Sequence, residues 1–162
     1  MILKYLSYVL RHKWFVMIEC FKVGLIWRGL VHDLDKFFPS LFFPYANHFK
    51  SGIQKGRDKT GYYKPYNSGD PDFDLAVHQH TQRNKHHWQF WVQPIDVEGV
   101  KLHPMPEIFI KEMICDWEGA SKAQGVKTGT ILNWFDKNHN KMQLNKPTER
   151  RIEELLFEKY EE

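Results

Sequence analysis

Residues 106–122, PEIFIKEMICDWEGASK, decide how this chain reads. Pro106 fits a first helical position, and Glu107 puts a negative charge at the positive end of the helix. Glu112 and Asp116 stand at i and i+4 on one face, among Met113, Ile114, Cys115 and Trp117. An unpaired carboxylate is costly in a core, so an acid in these surroundings calls for a metal or a cationic partner. The plain alternative is a half-exposed helix edge. Gly125 and Gly129 end the segment.

Outward from that helix the chain reads as all-α. Ile2, Leu3, Leu6, Val9 and Leu10 have amphipathic spacing, and Trp14, Met17, Ile18, Cys20 and Phe21 continue it. Gly24 and Gly29 loosen residues 24–36 and allow close packing, and Pro39 ends that stretch. Ser40–Lys50 reads as a short helix with Pro44 in its first turn or bending it. Residues 51–72 form a long irregular loop, a lid, a partner surface or plain mobile surface. Asp72 or Asp74 would cap a helix over 73–87. A second irregular patch, 92–106, holds three prolines and one short strand candidate, Glu98–Leu102. Helices at 130–137 and 147–160 close a single-domain bundle with a core over about residues 5–122 and C-terminal helices over about 127–160.

Composition narrows the function classes. The chain has 162 residues, 42% of them hydrophobic, with six Trp and twelve Phe, which favours a packed core over disorder. A net charge of +3 is too small to imply nucleic acid. Cys20 and Cys115 lie in apolar helical runs and read as buried free thiols of a cytoplasmic protein. Glu19, Lys22 and Arg28 interrupt the apolar residues of 14–31, so no spanning helix and no membrane partner are expected.

The candidate chemistry lies in His, Asp and Lys. Adjacent helical residues point about 100° apart, so His32 and Asp33 can share one ion only near a helix end or bend. They sit between Gly29 and Pro39, near such an end, and His12 lies on the preceding helix. Lys36, three residues after Asp33, would hold a phosphate oxygen or pair with Asp33 or Asp35. In the stretch HQHTQRNKHH (78–87), His80, Asn84 and His87 share a helix face. That selects His80 and His87 as inward ligands with Asn84 between them, and puts His78 and His86 on other faces. The choice between His86 and His87 stays open at the level of sequence. His48, His103 and His139 read as non-ligands.

The string His12…His32-Asp33-x-x-Lys36…Asp116 resembles the HD superfamily of metal-dependent phosphohydrolases. The segments His32-Asp33-Leu34-Asp35-Lys36-Phe37, Arg83-Asn84-Lys85-His86-His87 and Met105-Pro106…Lys111-Glu112-Met113-Ile114-Cys115-Asp116-Trp117 also resemble a mainly bacterial and phage domain family of unknown function with an HD-like core. The resemblance implies a helical fold, one or two divalent transition-metal ions (Mn, Fe, Co, Ni or Zn) and hydrolysis of phosphate esters. In bimetallic HD proteins the two middle histidines usually lie on separate helices, whereas His80 and His87 are seven residues apart.

The expectation is therefore a phosphohydrolase acting on a small phosphorylated substrate, a nucleotide first. The metal ligands would be His12, His32, Asp33, His80, His87 and Asp116. Asp33 and Lys36 would be catalytic, and Lys36, Arg83 and Asn84 would bind substrate. Trp88, Phe90 and Trp91 could stack a base, or simply pack. The alternatives are a non-catalytic HD-like binding protein, with partner surfaces at 37–66 and 88–103, or a nuclease. The nuclease reading rests on Lys50, Lys55, Arg57, Lys59 and Lys64.

Overall fold

The computed structural model describes residues 2–50, 59–60, 68–125 and 130–160, all but the side chain of Lys50. Most of the 51–72 stretch, with Lys55, Arg57 and Lys64, lies outside them, as do residues 127–129. Among the described residues there are seven α-helices and one small hairpin, so the chain is predominantly all-α.

The first helix, α1, runs unbroken from Ile2–Lys22 because no Gly or Pro interrupts it, and it buries Tyr5, Val9, His12, Val16, Glu19 and Cys20. Gly24, at φ 77°, turns the chain into α2 (Ile26–Val31). A Cβ on Gly29 would stand 2.9 Å from Cys20 Cβ, so only glycine lets α2 lie this close to α1. A 3-10 turn, Leu34–Phe37, leads to α3 (Pro39–Lys50). Pro39 therefore opens a helix and does not merely end the preceding stretch; its missing N–H costs nothing at a first position. Pro44 sits inside α3.

Helix α4 spans Pro71–Arg83. Its cap is Asp70 and neither Asp72 nor Asp74: the Asp70 side chain accepts from Phe73 N at 3.2 Å, with Pro71 in the first turn. The helix stops at Arg83, short of the expected 87, because Asn84 adopts an extended conformation (φ −106°, ψ 110°). After a 3-10 turn at Trp88–Trp91, strands β1 (Val92–Ile95) and β2 (Gly99–Leu102) pair antiparallel, with Pro94 opposite Val100. The strand at 99–102 is the expected one. Its partner was hidden by Pro94, which a two-stranded ribbon tolerates because each strand is an edge.

Helix α5 (Glu107–Ala123) is the spine. It crosses α1 at Gly119, where a Cβ would meet the Val16 backbone nitrogen at 2.7 Å. Helices α6 (Ile131–Asn138), capped by Thr130, and α7 (Lys146–Tyr160) pack on its other side around Met113, Phe135, Ile152 and Leu156. A second cluster joins α1, α3 and α4 through Tyr5, Val9, Leu41, Phe73 and Val77. The two free cysteines, Cys20 and Cys115, are buried beside Val16.

Candidate metal centre

His32 caps the C-terminus of α2 and Asp33 follows at φ 54°, ψ 27°. This left-handed conformation suits Asp better than most side chains. It breaks the helical 100° offset, so both neighbours turn inward at a helix end, as their position between Gly29 and Pro39 suggested. Both are buried, with His12 from α1 and Asp116 from α5.

These four residues form one donor group. His12 Nε2 lies 3.4 Å from Asp33 Oδ2 and 3.1 Å from Asp116 Oδ1. His32 Nε2 lies 3.4 Å from each of the same two oxygens. Two donors on one ion with bonds of about 2.1 Å stand about 3.0–3.4 Å apart. The four separations match that spacing.

The other oxygen of Asp33 serves a second group. Oδ1 lies 3.4 Å from His80 Nε2 and 3.3 Å from His86 Nε2, while His87 Nε2 stands 2.9 Å from His80 Nε2. Asp33, His80, His86 and His87 could hold an ion together, as could His12, His32, Asp33 and Asp116. Asp33 belongs to both groups. His12 Nε2, His32 Nε2, His86 Nε2 and Asp33 Oδ1 are buried and make no hydrogen bond. Buried polar atoms are nearly always satisfied, so four such atoms aimed at common points mark a place for a cation.

Three further acids and amides aim the rings. Glu112 Oε1 accepts from His32 Nδ1 at 3.3 Å, and His86 Nδ1 lies 3.5 Å from the same oxygen. Arg28, stacked over Phe109, donates to Glu112 Oε2 at 2.6 Å. Asp35 Oδ2 accepts from His80 Nδ1 at 3.0 Å and from Asn84 Nδ2 at 2.8 Å. A carboxylate only accepts, so Nδ1 of His32 and of His80 carries a proton and Nε2 is the nitrogen left for an ion. Glu112 thus ties a ligand of each group to one carboxylate. Glu112→Gln is expected to weaken metal retention about 10- to 100-fold while the helical signal stays intact, read by competition with a fluorescent chelator.

The charges fit a cation as well. With neutral histidines, and counting ion-pair contacts among the described residues, Asp33, Asp35, Asp116 and Glu112 are met by Lys36 and Arg28, an excess of two negative charges. One divalent ion would cancel it. Burial pushes the Asp33 carboxyl up, but the charges of His32 and Lys36 outweigh it and hold its pKa well below the usual range. Burial pushes the Asp116 carboxyl up, but His12 and His32 beside it hold its pKa well below the usual range. Burial lowers the His32 pKa, yet Asp33, Asp116 and Glu112 lift it well above the imidazole range. Burial holds His80 and His87 below that range, the neutral form a metal needs.

Of the expected site residues, His12, His32, Asp33, His80, His87 and Asp116 converge. Lys36 joins them, its Nζ 2.6 Å from Asp33 Oδ2. Asn84 bonds Asp35 and the His80 carbonyl, so it positions His80. Arg83 is exposed at the last position of α4, outside the buried cluster. His86 is the residue that helical phase misplaced: beyond Arg83 there is no helix, and it folds in beside His32, ring centroids 4.4 Å apart. The signal for it was Asn84, a residue that commonly ends helices. His48 stacks on Phe73, ring centroids 3.7 Å apart, and bonds Asp70. His103 bonds Gln93, and His139 bonds Glu149.

Residues 1–158 match DUF5662, a family of unknown function. The chain belongs to that family. The DUF5662 match spans α1 to α7, so it takes in every residue of both donor groups. No curated protein and no solved structure matches the chain.

Proposed function

We propose that this chain is a metal-dependent phosphohydrolase of the HD type. The observation that carries the reading is the division of Asp33, one oxygen toward His12, His32 and Asp116 and the other toward His80 and His86. A pair of divalent transition ions bound there supplies Lewis-acid polarisation of a phosphoryl oxygen and a water acidic enough to act near neutral pH. Nitrogen and carboxylate donors suit Mn, Fe, Co, Ni or Zn better than calcium.

The chain's own residues do the rest. His12, His32 and Asp116 would hold one ion and His80, His86 and His87 the other, with Asp33 shared between the two groups. Lys36, on the Asp33 carboxylate, counters negative charge gathering on the phosphoryl oxygens. His87 and Lys36 are half-buried while His12, His32, His80, His86 and Asp116 are buried, so a substrate would approach from the side of His87 and Lys36. Packing accounts for the aromatics after the histidines: Trp88 and Trp91 lie against the Met105–Ile110 core, and Phe90 lies on Trp91. A phosphate ester is thus the substrate class, with nucleotides the first to try.

The test is protein purified without chelator, its metals counted by mass spectrometry, then assayed on phosphomonoesters and diesters, nucleotides included. About two ions per chain, one lost in His12→Ala and one in His86→Ala, with turnover lost alongside, is the expected result. Metal retained without turnover of any ester would leave a structural centre in a binding protein.

Acidity gives an independent check. The proton favoured on His32 must leave before that ring can bind an ion, so uptake releases protons. Apparent affinity should rise with pH, about tenfold per unit for each proton displaced. Potentiometric titration of metal uptake measures the release directly, and a pH-independent affinity would contradict the assignment of His32.

A further inference from the structure

The surface of the chain is divided in two. Seventeen large apolar side chains are exposed among the described residues, and twelve of them lie before residue 50. On α1, Leu3, Leu10, Trp14 and Phe21 follow the spacing i, i+7, i+11, i+18. At 100° per residue they fall within about 40° of one another, in a stripe about 27 Å long. Lys13 on the flank of α1 donates to the carbonyls of Leu30 and His32, at 2.7 and 2.9 Å. That lays α2 beside the stripe, and Trp27 and Leu30 extend it. Exposure is high at the centre of this face: 76% for Leu3, 58% for Trp14 and 72% for Trp27.

Charge follows the same division. The acids among positions 2–50 are Glu19, Asp33 and Asp35. The first two are buried and the third is turned in to His80. Lys4, Arg11 and Lys22 are exposed, about 90° round α1 from the stripe, and Arg28 stands half-buried on α2. Lys22 is ion-paired with Glu19 and Arg28 with Glu112, so Lys4 and Arg11 are the exposed cations that make the apolar stripe complementary to an anionic, partly apolar surface. A second copy of the face would set cations against cations with no acid to answer them. Tryptophans beside Lys and Arg are the side chains that settle at lipid headgroup level. Among the described residues no helix is long and apolar enough to cross a membrane, and the contact argued from this face is peripheral.

We propose that the exposed face of α1 and α2, centred on Leu10, Trp14 and Trp27, docks on the surface of an anionic lipid bilayer. His12 lies on the opposite, buried side of α1, so the donor groups point away from the lipid.

The experiment is co-sedimentation with phosphatidylcholine vesicles, with and without phosphatidylserine, at low and high salt. The expected result is binding to the phosphatidylserine vesicles, weakened by salt. Arg11→Gln should lower the partition coefficient about fivefold. Trp14→Glu combined with Trp27→Glu should abolish binding. Both tryptophans are exposed, so circular dichroism should report an unchanged fold. Three results would overturn the proposal: no binding of the wild type at low salt, equal binding by the double variant, or a wild-type dimer that the double variant dissociates. The last would assign the face to a second copy.

Discussion

Asp33→Asn should strip both ions from the chain, whereas His12→Ala and His86→Ala should each remove one. Asp33 is the only residue whose atoms belong to both donor groups, through Oδ2 in one and Oδ1 in the other. Asparagine keeps the size and tolerates the left-handed backbone at φ 54°, so folding is not at stake. It removes the charge that sets Lys36 in place and replaces one oxygen by a donor that cannot ligate. Losing a group that merely orients a ligand already costs about 10- to 100-fold in affinity, so losing a ligand shared by both groups should cost more than about a hundredfold at each position. Ion counts by mass spectrometry decide the matter. One ion retained in Asp33→Asn would mean the two groups are independent.

Gly119→Ala is expected to be the most damaging single methyl addition in the described core. Its Cβ would stand 2.7 Å from the nitrogen of Val16 and 2.9 Å from its Cα, and backbone cannot rotate away as a side chain can. Helices α1 and α5 would have to separate. Overpacking of this kind costs about 1–3 kcal/mol. For a chain of this size, that lowers Tm by about 2–12 °C. The direction is opposite to the usual gain from Gly→Ala within a helix. A thermal melt of the chelated protein reads it without interference from bound metal. A Tm at or above the wild type would show that the helices part freely.

Much of this was legible in the chain. The helix opened at Pro106 put Glu112 and Asp116 on one face, and both proved to be buried, Glu112 against Arg28 and His32 and Asp116 against His12 and His32. The His32-Asp33 pair was readable because two adjacent side chains can converge only at a helix end, and the glycine and proline around it marked one. His86 was not readable from helical phase. That argument assumes a continuous helix, and Asn84 ends it before the phase applies. Glu112 and Asp35 were seen as acids, but their task of aiming imidazoles depends on contacts 80 and 45 residues away in sequence. Pro39 and Pro94 misled for a common reason. Proline forbids an amide donor, yet the first turn of a helix and the edge of a ribbon have no need of one.

The crossing at Gly119 also acts as a gauge of ionic radius. Val16 lies one turn beyond His12 on α1, and Gly119 lies three residues beyond Asp116 on α5. The point where the two backbones touch is thus about one turn from the His12–Asp116 pair, whose facing atoms stand 3.1 Å apart. On the proposed function, an ion with bonds near 2.1 Å would match that separation, and calcium, with bonds of about 2.3–2.6 Å, would favour a wider one. A methyl group at residue 119 holds the helices apart in advance. The Gly119→Ala protein that remains folded should therefore shift its preference toward larger cations, so that discrimination among metals is set by a residue that touches none of them.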